Sequence, residues 1–349
     1  VHHRPTPEEL VKAANEPFAG RLLRVPFIGR DALSGLARMF FRQPGVCLRI
    51  LGEIVAGTWR QPSALVKSLA LFPKSCAIAR QFALRGVQHI HAHWSTHPTT
   101  CAYIVSRLTG IPFSFTTHAY DIYQDRILLE PKYRRSAFAV SECRHTIDFI
   151  AARIPSLDRN KIHLIYNGLD LERDFGGIVR APESAPPLIL AVGRLVPTKG
   201  FAYLVEAARR LHAEGRQLRV LIAGDGPDRA LLADLIGHDD LRGKVRLAGP
   251  VSESEVRSLI ARASVTVVPA CTPTHGFHDA LPTIIMESMA VGTPVITTPV
   301  FGIPEVVTDG VNGLLVAERD AAALDGAIMR LLDDPALGLR LADEGRATV

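Results

Sequence analysis

Leu188-Ile189-Leu190-Ala191-Val192-Gly193-Arg194-Leu195-Val196-Pro197-Thr198-Lys199-Gly200 is the stretch that decides the fold. Its first five residues are an unbroken apolar run, as in a strand buried on both faces, and the next eight interrupt it with glycine, proline and two cations. The same grammar then repeats. Periodicity predicts a helix over 202–211, a strand over 219–223, a helix over 228–236 and a strand over 245–248. A helix at 253–262, a strand at 265–269, a helix at 282–290 and a strand at 294–297 follow. Such alternation predicts a doubly wound α/β domain, whose ligands sit beyond the carboxyl ends of the strands. Function is therefore expected on the strand-to-helix loops.

Upstream, the alternation is already present, with strands predicted at 87–93, 112–117, 138–141 and 162–166 and a helix at 98–108. Residues 33–86 read instead as two or three basic helices after an irregular start. The Gly- and Pro-rich stretch 176–187 is the best linker. The expected division is 1–86 as the helical part of a first domain, 87–177 as its remainder, and 178–349 as a second domain. A chain of 349 residues, 47% hydrophobic and 21% charged, has the material for two such cores and excludes disorder and collagen-like repeats. No apolar run reaches the roughly 18 residues of a membrane span, and the start lacks a signal peptide's pattern. Five cysteines without a CxxC pair indicate neither a disulfide framework nor a zinc knuckle, so a reducing cytoplasm is expected.

Charge divides unevenly. Residues 1–180 carry 24 Lys and Arg against 14 Asp and Glu, whereas 181–349 carry 16 against 21. No helix-turn-helix, zinc finger or aromatic-basic stacking motif points to nucleic acid, so a membrane surface or an anionic substrate is the expected partner. A merely solvated basic face is the plainer alternative.

Three loops carry the chemistry. Arg194 and Lys199, five apart beyond a strand, can clamp a diphosphate: arginine offers a planar fork and lysine a mobile point charge. Gly224-Asp225-Gly226-Pro227 is neither a GxGxxG fingerprint nor a Walker loop, but its glycines let a ligand approach the backbone. In Asp279-Ala280-Leu281-Pro282-Thr283-Ile284-Ile285-Met286-Glu287, Pro282 suits the first turn of a helix, leaving the amides of Thr283 and Ile284 free for a phosphate. Thr283 and Glu287 share one helix face and point to the cleft, while Ile285 and Met289 suit the core. Asp279 and Glu287 then read as two ligand-gripping carboxylates. Surface loops and a solubilising glutamate are the plainer alternatives.

Together these motifs resemble the retaining nucleotide-sugar glycosyltransferases of family 4, which have the GT-B fold of two Rossmann-like doubly wound domains facing across a cleft. Gly193-Arg194 with Lys199-Gly200 resembles the family's diphosphate clamp, Gly224-Asp225-Gly226-Pro227 its G-x-G-P turn, and Asp279 to Glu287 its E-x7-E motif. Gly302-Ile303-Pro304-Glu305 and Asp309-Gly310-Val311-Asn312-Gly313 resemble its closing signature, and Asn167-Gly168-Leu169-Asp170 its N-G-V-D turn. His91-Ala92-His93-Trp94 and 111–123 are similar to the subgroup that builds colanic acid and related exopolysaccharides on lipid carriers.

The resemblance implies that Glu287 holds the ribose, Asp279 and His118 meet the donor sugar, and Arg194 and Lys199 neutralise the leaving diphosphate. Gly193, Gly224, Gly226, Leu281, Pro282 and Thr283 complete the expected nucleotide site. It also implies transfer with retention from a nucleotide-diphosphate sugar to a saccharide acceptor, expected to be lipid-linked, without metal or other cofactor and peripheral to the inner membrane face. Two departures stand out. Asp279 replaces the usual glutamate, and residues 1–86 show no copy of the family's opening strand and Gly loop, so a fragment of a longer enzyme is expected.

Other readings are weaker. His89, His91 and His93 alternate on one face with His97 beyond, and His275, His278 and Asp279 form a second set, but neither has a complete ligand pattern for zinc. A hydrolase lacks its G-x-S-x-G elbow, and Cys271 reads as a packed residue. The rival functions are a GT-B epimerase or phosphorylase and a non-catalytic sugar-nucleotide-binding subunit.

Overall fold

Ten strands form two wholly parallel sheets in the computed structural model, which describes residues 23, 25–27, 29–123, 127–182, 186–237, 241–273 and 279–349. Most of the irregular start expected over 1–30, namely residues 1–22, 24 and 28, lies outside the described residues, as do His275, Gly276, Phe277 and His278. By its contacts the chain divides into one unit of Val1–Glu142 with Ile147–Ile165 and another of Cys143–Thr146 with Tyr166–Val349.

In the first unit, three helices precede the sheet: α1 (Arg30–Arg42), α2 (Pro44–Thr58) and α3 (Pro62–Leu84). Prolines at the start of α2 and α3 suit positions that need no amide donor. Strands β1 (Ile90–His93), β2 (Phe113–Thr117), β3 (Phe138–Ser141) and β4 (Ile162–Leu164) then lie side by side in chain order. Helices α4 (His97–Thr109), α5 (Ala119–Tyr123), α6 (Leu129–Arg135) and α7 (Arg144–Arg153) alternate with them. Strand β1 begins three residues later than expected because Ile90 is the first residue with a neighbour, Phe113. Phe113, Phe115, Tyr103 and Ile104 centre this unit's core.

The second unit reverses direction. Its strands are β5 (Leu188–Val192), β6 (Arg219–Ala223), β7 (Val245–Gly249), β8 (Val265–Val268), β9 (Val295–Thr297) and β10 (Leu314–Leu315), in the spatial order β10-β9-β8-β5-β6-β7. The sheet grows one way from β5 through β7 and the other way from β8 onward, so its switch point lies between β5 and β8. Helices α8 (Phe201–Ala213), α9 (Arg229–Gly237), α10 (Glu253–Arg262) and α11 (Thr283–Val291) follow β5 to β8, and α12 (Ala321–Asp333) and α13 (Pro335–Thr348) finish the chain. Separate buried clusters fill the two faces: Ile189, Val220 and Val267 belong to one, Leu190, Val268 and Ile285 to the other. Residues 166–178, part of it read as linker, pack Leu169, Phe175 and Ile178 against the second of these clusters. No helix among the described residues is long and apolar enough to cross a membrane.

A buried lysine fixes the loop after β1. Lys132 is fully buried on α6, and its Nζ donates to the carbonyls of Ser95 (2.6 Å), Thr96 (2.9 Å) and Ile127 (2.7 Å). Beside it, buried Asp121 accepts from the amides of Ser95 and His118. Lys132→Met keeps the bulk but strands these carbonyls, at about 1–3 kcal/mol for each group left without a partner. Urea unfolding should show a loss of about 3 kcal/mol or more. An unchanged midpoint and slope would show that water replaces the ammonium at no cost.

Candidate functional site at the carboxyl ends of the strands

The loops after β5, β6, β7 and β8 are stitched together by main-chain bonds. Gly193 donates to Ala223 O (3.0 Å), Leu195 to Asp225 O (2.9 Å), Asp228 to Leu195 O (3.0 Å), Gly224 to Gly249 O (2.8 Å) and Cys271 to Thr198 O (2.9 Å). Glycine is required at this density. A Cβ on Gly224, whose φ is +139°, would lie 1.9 Å from Gly193 O, and one on Gly226 would lie 2.4 Å from Leu195 O. Gly200, at φ +65°, would meet Pro269 O at 1.8 Å. These glycines therefore let one loop lie directly against another. Cys271 is buried with its thiol on Pro197 O, so it is indeed a packing residue.

Lys199 and Asp279 meet at the switch point. Lys199 ends the loop beyond β5 and Asp279 lies in the loop beyond β8, 80 residues away, yet Nζ and Oδ2 are 2.5 Å apart. Their side chains are 14% and 18% exposed, buried enough for the attraction to escape most solvent screening and open enough for a ligand to enter. The cation expected on the diphosphate and the carboxylate expected on the sugar thus neutralise each other, and a ligand entering here would exchange one contact for another. Arg194 lies exposed on the same loop.

The helix at the site starts one residue later than expected. Pro282 takes extended dihedrals (φ −64°, ψ +118°) and caps α11 rather than entering its first turn. The first helical bond runs from Ile285 N to Pro282 O (3.1 Å), so the amides of Thr283 and Ile284 precede the ladder, with Ala280 and Leu281 buried beneath them. On the expected face, the Thr283 hydroxyl donates to the Glu287 carboxylate. Burial raises the Glu287 pKa above the usual carboxylate value, and this hydrogen bond partly offsets the rise. Ile285 and Met289 are buried, as their spacing required.

The closing signature has structural work. Within the second unit, Glu305 accepts from the amides of Arg144 and His145 (both 2.8 Å) and from the Tyr166 hydroxyl (2.9 Å), so one carboxylate gathers three donors. Asn312 closes its own turn through Thr308 N (2.8 Å) and Val306 O (2.9 Å). In the other unit, His118 lies at the end of β2, beside His93 and Glu142. His89 and His91 bond the Ser114 hydroxyl at 2.7 and 2.8 Å, and among the described residues no three His, Cys, Asp or Glu side chains gather around a point suited to a metal. Sequence reasoning missed Glu142, Asp121 and Lys132, whose partners are fixed only by the fold.

A groove of about 580 Å³ lies elsewhere on the second unit, among β6, β7 and α10, with Arg219, Lys244, Arg246 and Arg262 in its lining. It begins at the amino ends of the strands. The loops at the carboxyl ends of β5 and β8 are the better candidate, because that is where the switch point, the Lys199–Asp279 pair and a helix terminus coincide.

Comparison with known proteins agrees with this layout. A model described as Glycosyltransferase Family 4 matches residues 41–173, and one described as Glycosyl transferases group 1 matches 179–348. The chain is 28% identical over 276 residues to the alpha-D-kanosaminyltransferase of Streptomyces kanamyceticus, which covers 73% of this chain and 70% of that protein. It is 37% identical over 179 residues to the colanic acid biosynthesis glycosyltransferase WcaL of Salmonella typhimurium, covering 51% of this chain and only 44% of that protein. The structure of Alr3699/HepE from Anabaena, solved in complex with UDP, superposes with a TM-score of 0.66 at 19% identity, over 79% of this chain and 76% of that one. With the two models lying end to end over almost all of its described length, the chain belongs to the family 4 glycosyltransferases of the GT-B fold, and it is similar to the colanic acid and exopolysaccharide type.

Proposed function

We propose that this chain is a glycosyltransferase of exopolysaccharide or related cell-surface glycan assembly. It moves a sugar from a nucleotide diphosphate to a saccharide acceptor with retention at the anomeric carbon. The observation that carries this reading is the Lys199–Asp279 pair at the switch point of the second sheet. The donor's diphosphate takes Lys199 and Arg194 together with the amides of Thr283 and Ile284, while Asp279 turns to the sugar's hydroxyls. Charge builds on the diphosphate as the glycosidic bond breaks, so groups already aimed there lower the barrier without a metal. Glu287 takes the ribose hydroxyls, and His118 of the first unit serves the donor sugar.

The acceptor is lipid-linked in this reading, and the enzyme works in the cytoplasm against the inner membrane face. Residues 30–84 carry eight Lys and Arg against two acidic residues. Helix α2 buries Cys47, Ile50 and Ile54 on one side yet leaves Leu48, Val55 and Trp59 exposed on the other, with Phe41 91% exposed at the end of α1. Apolar side chains among cations suit an anionic lipid surface.

Glu287→Ala should weaken nucleoside diphosphate binding about tenfold or more, because a charged hydrogen bond is worth about 1.5–3 kcal/mol. Calorimetry on the folded variant reads this directly, and unchanged affinity would remove Glu287 from the site. Transfer from a panel of sugar nucleotides should need added acceptor and survive EDTA. Product formed without acceptor would favour an epimerase instead. For the membrane contact, the chain should pellet with anionic vesicles and be released by high salt. Equal pelleting with neutral lipid would leave the basic helices as a solvated face.

A further inference from the structure

Three adjacent strands of the first sheet end in groups that can hold a proton: His93 closes β1, His118 follows β2 and Glu142 follows β3. They form a chain. His118 Nδ1 lies 3.1 Å from Glu142 Oε2, and His118 Nε2 lies 2.8 Å from His93 Nε2. The indole of Trp94 lies beside the His118 ring, with centroids 4.5 Å apart. His118 and Glu142 have side chains only 17% and 9% exposed.

The chemistry of the partners restricts where protons sit. An ionised carboxylate only accepts, so Glu142 keeps a hydrogen on His118 Nδ1. The two Nε2 atoms face each other, and a hydrogen bond between them has room for one proton. With His118 neutral, His93 must donate that proton. With His118 cationic, His118 donates it and His93 carries its own hydrogen on Nδ1. Among the described residues, His118 meets Glu142 beyond β3, Asp121 from α5 and His93 from β1, and His93 in turn feels His91. Two carboxylates thus favour a cation on this pair.

We infer that Glu142 and His93 are positioning residues that hold His118 as the protonated member of a proton-sharing imidazole pair. His118 then presents a positive charge, with its ring fixed by the Nδ1 bond to Glu142 and the Nε2 bond to His93, to an anionic group of the substrate. Burial acts to lower the His118 pKa, but the Glu142 hydrogen bond and the charges of Glu142 and Asp121 outweigh it and leave a net rise. Burial and the neighbouring His118 and His91 lower that of His93, with Glu142 opposing. The proton therefore resides on His118, although the pair titrates as one unit. What the charge does in transfer rests on the glycosyltransferase reading; that the proton is shared does not.

Long-range ¹H–¹⁵N spectra of the histidine-labelled full chain, recorded between about pH 5 and pH 9, test this around the ordinary histidine range. Wild type should show hydrogen on His118 Nδ1 at all pH values and a titration above that of His93. Glu142→Gln keeps an acceptor for Nδ1–H but removes the charge, so the His118 titration should fall by about one pH unit or more. His93→Asn should abolish the coupling, leaving His118 a single titration that Glu142 still holds up. The alkaline limb of kcat against pH should move down with the spectrum in Glu142→Gln. A His118 titration unmoved by Glu142→Gln, a neutral form with hydrogen on Nε2, or a kcat profile that stays while the spectrum moves would each overturn the inference. A chain with no transfer activity whose His118 nonetheless shifts as described would keep the proton pair and refute the transferase reading.

Discussion

The approach of Gly193 O to Gly224, too close for any side chain, is the constraint on which the second unit's site depends. It lets the loop beyond β5 lie on the loop beyond β6, from which Leu195 and Asp225 complete the contact. Lys199 is thereby delivered to the side of β5 that faces β8, where Asp279 waits. A glycine here costs conformational entropy in the unfolded chain, and the return is a backbone that holds a cation in place without a ligand. The site is consequently preorganised at its base and adaptable at its tips, where Lys199, Asp279 and Arg194 can change partners.

The first unit solves the same problem differently. Its loops are held by buried charge: Lys132 ties down the carbonyls after β1, and Asp121 ties the amides of Ser95 and His118. Burying such groups is expensive unless every polar atom is paired, and pairing makes the loop rigid. His93, His118 and Glu142 stand on this base at three neighbouring strand ends. The two units thus arrive at ordered strand-end loops by different means, close backbone packing in one and satisfied charge in the other.

Much of this was legible in the sequence, and the exceptions have physical reasons. Strands 138–141, 188–192 and 219–223 and the helix 253–262 stand where periodicity put them, because a buried parallel strand needs an apolar run and Ser252 with Glu255 forms a capping box. The i,i+4 pairing of Thr283 with Glu287 was likewise readable. Strand β1 was drawn too long because apolar residues at 87 and 90 say nothing about where a neighbour begins. Residues 166–178 were read partly as linker, since Gly176 and Gly177 conceal the packing of Leu169, Phe175 and Ile178. Glu142 escaped notice because its partner, His118, is 24 residues away and only strand order brings them together.

The central claim is that the diphosphate of a sugar nucleotide is bound where β5 and β8 diverge. A crystal structure of the chain with a nucleoside diphosphate tests it most directly. The account predicts phosphate density on Lys199, Arg194 and the amides of Thr283 and Ile284, with the Lys199–Asp279 contact opened. Phosphate held instead by Arg219, Lys244 and Arg246 in the groove at the other end of the strands, with Lys199 and Asp279 still paired, would contradict it.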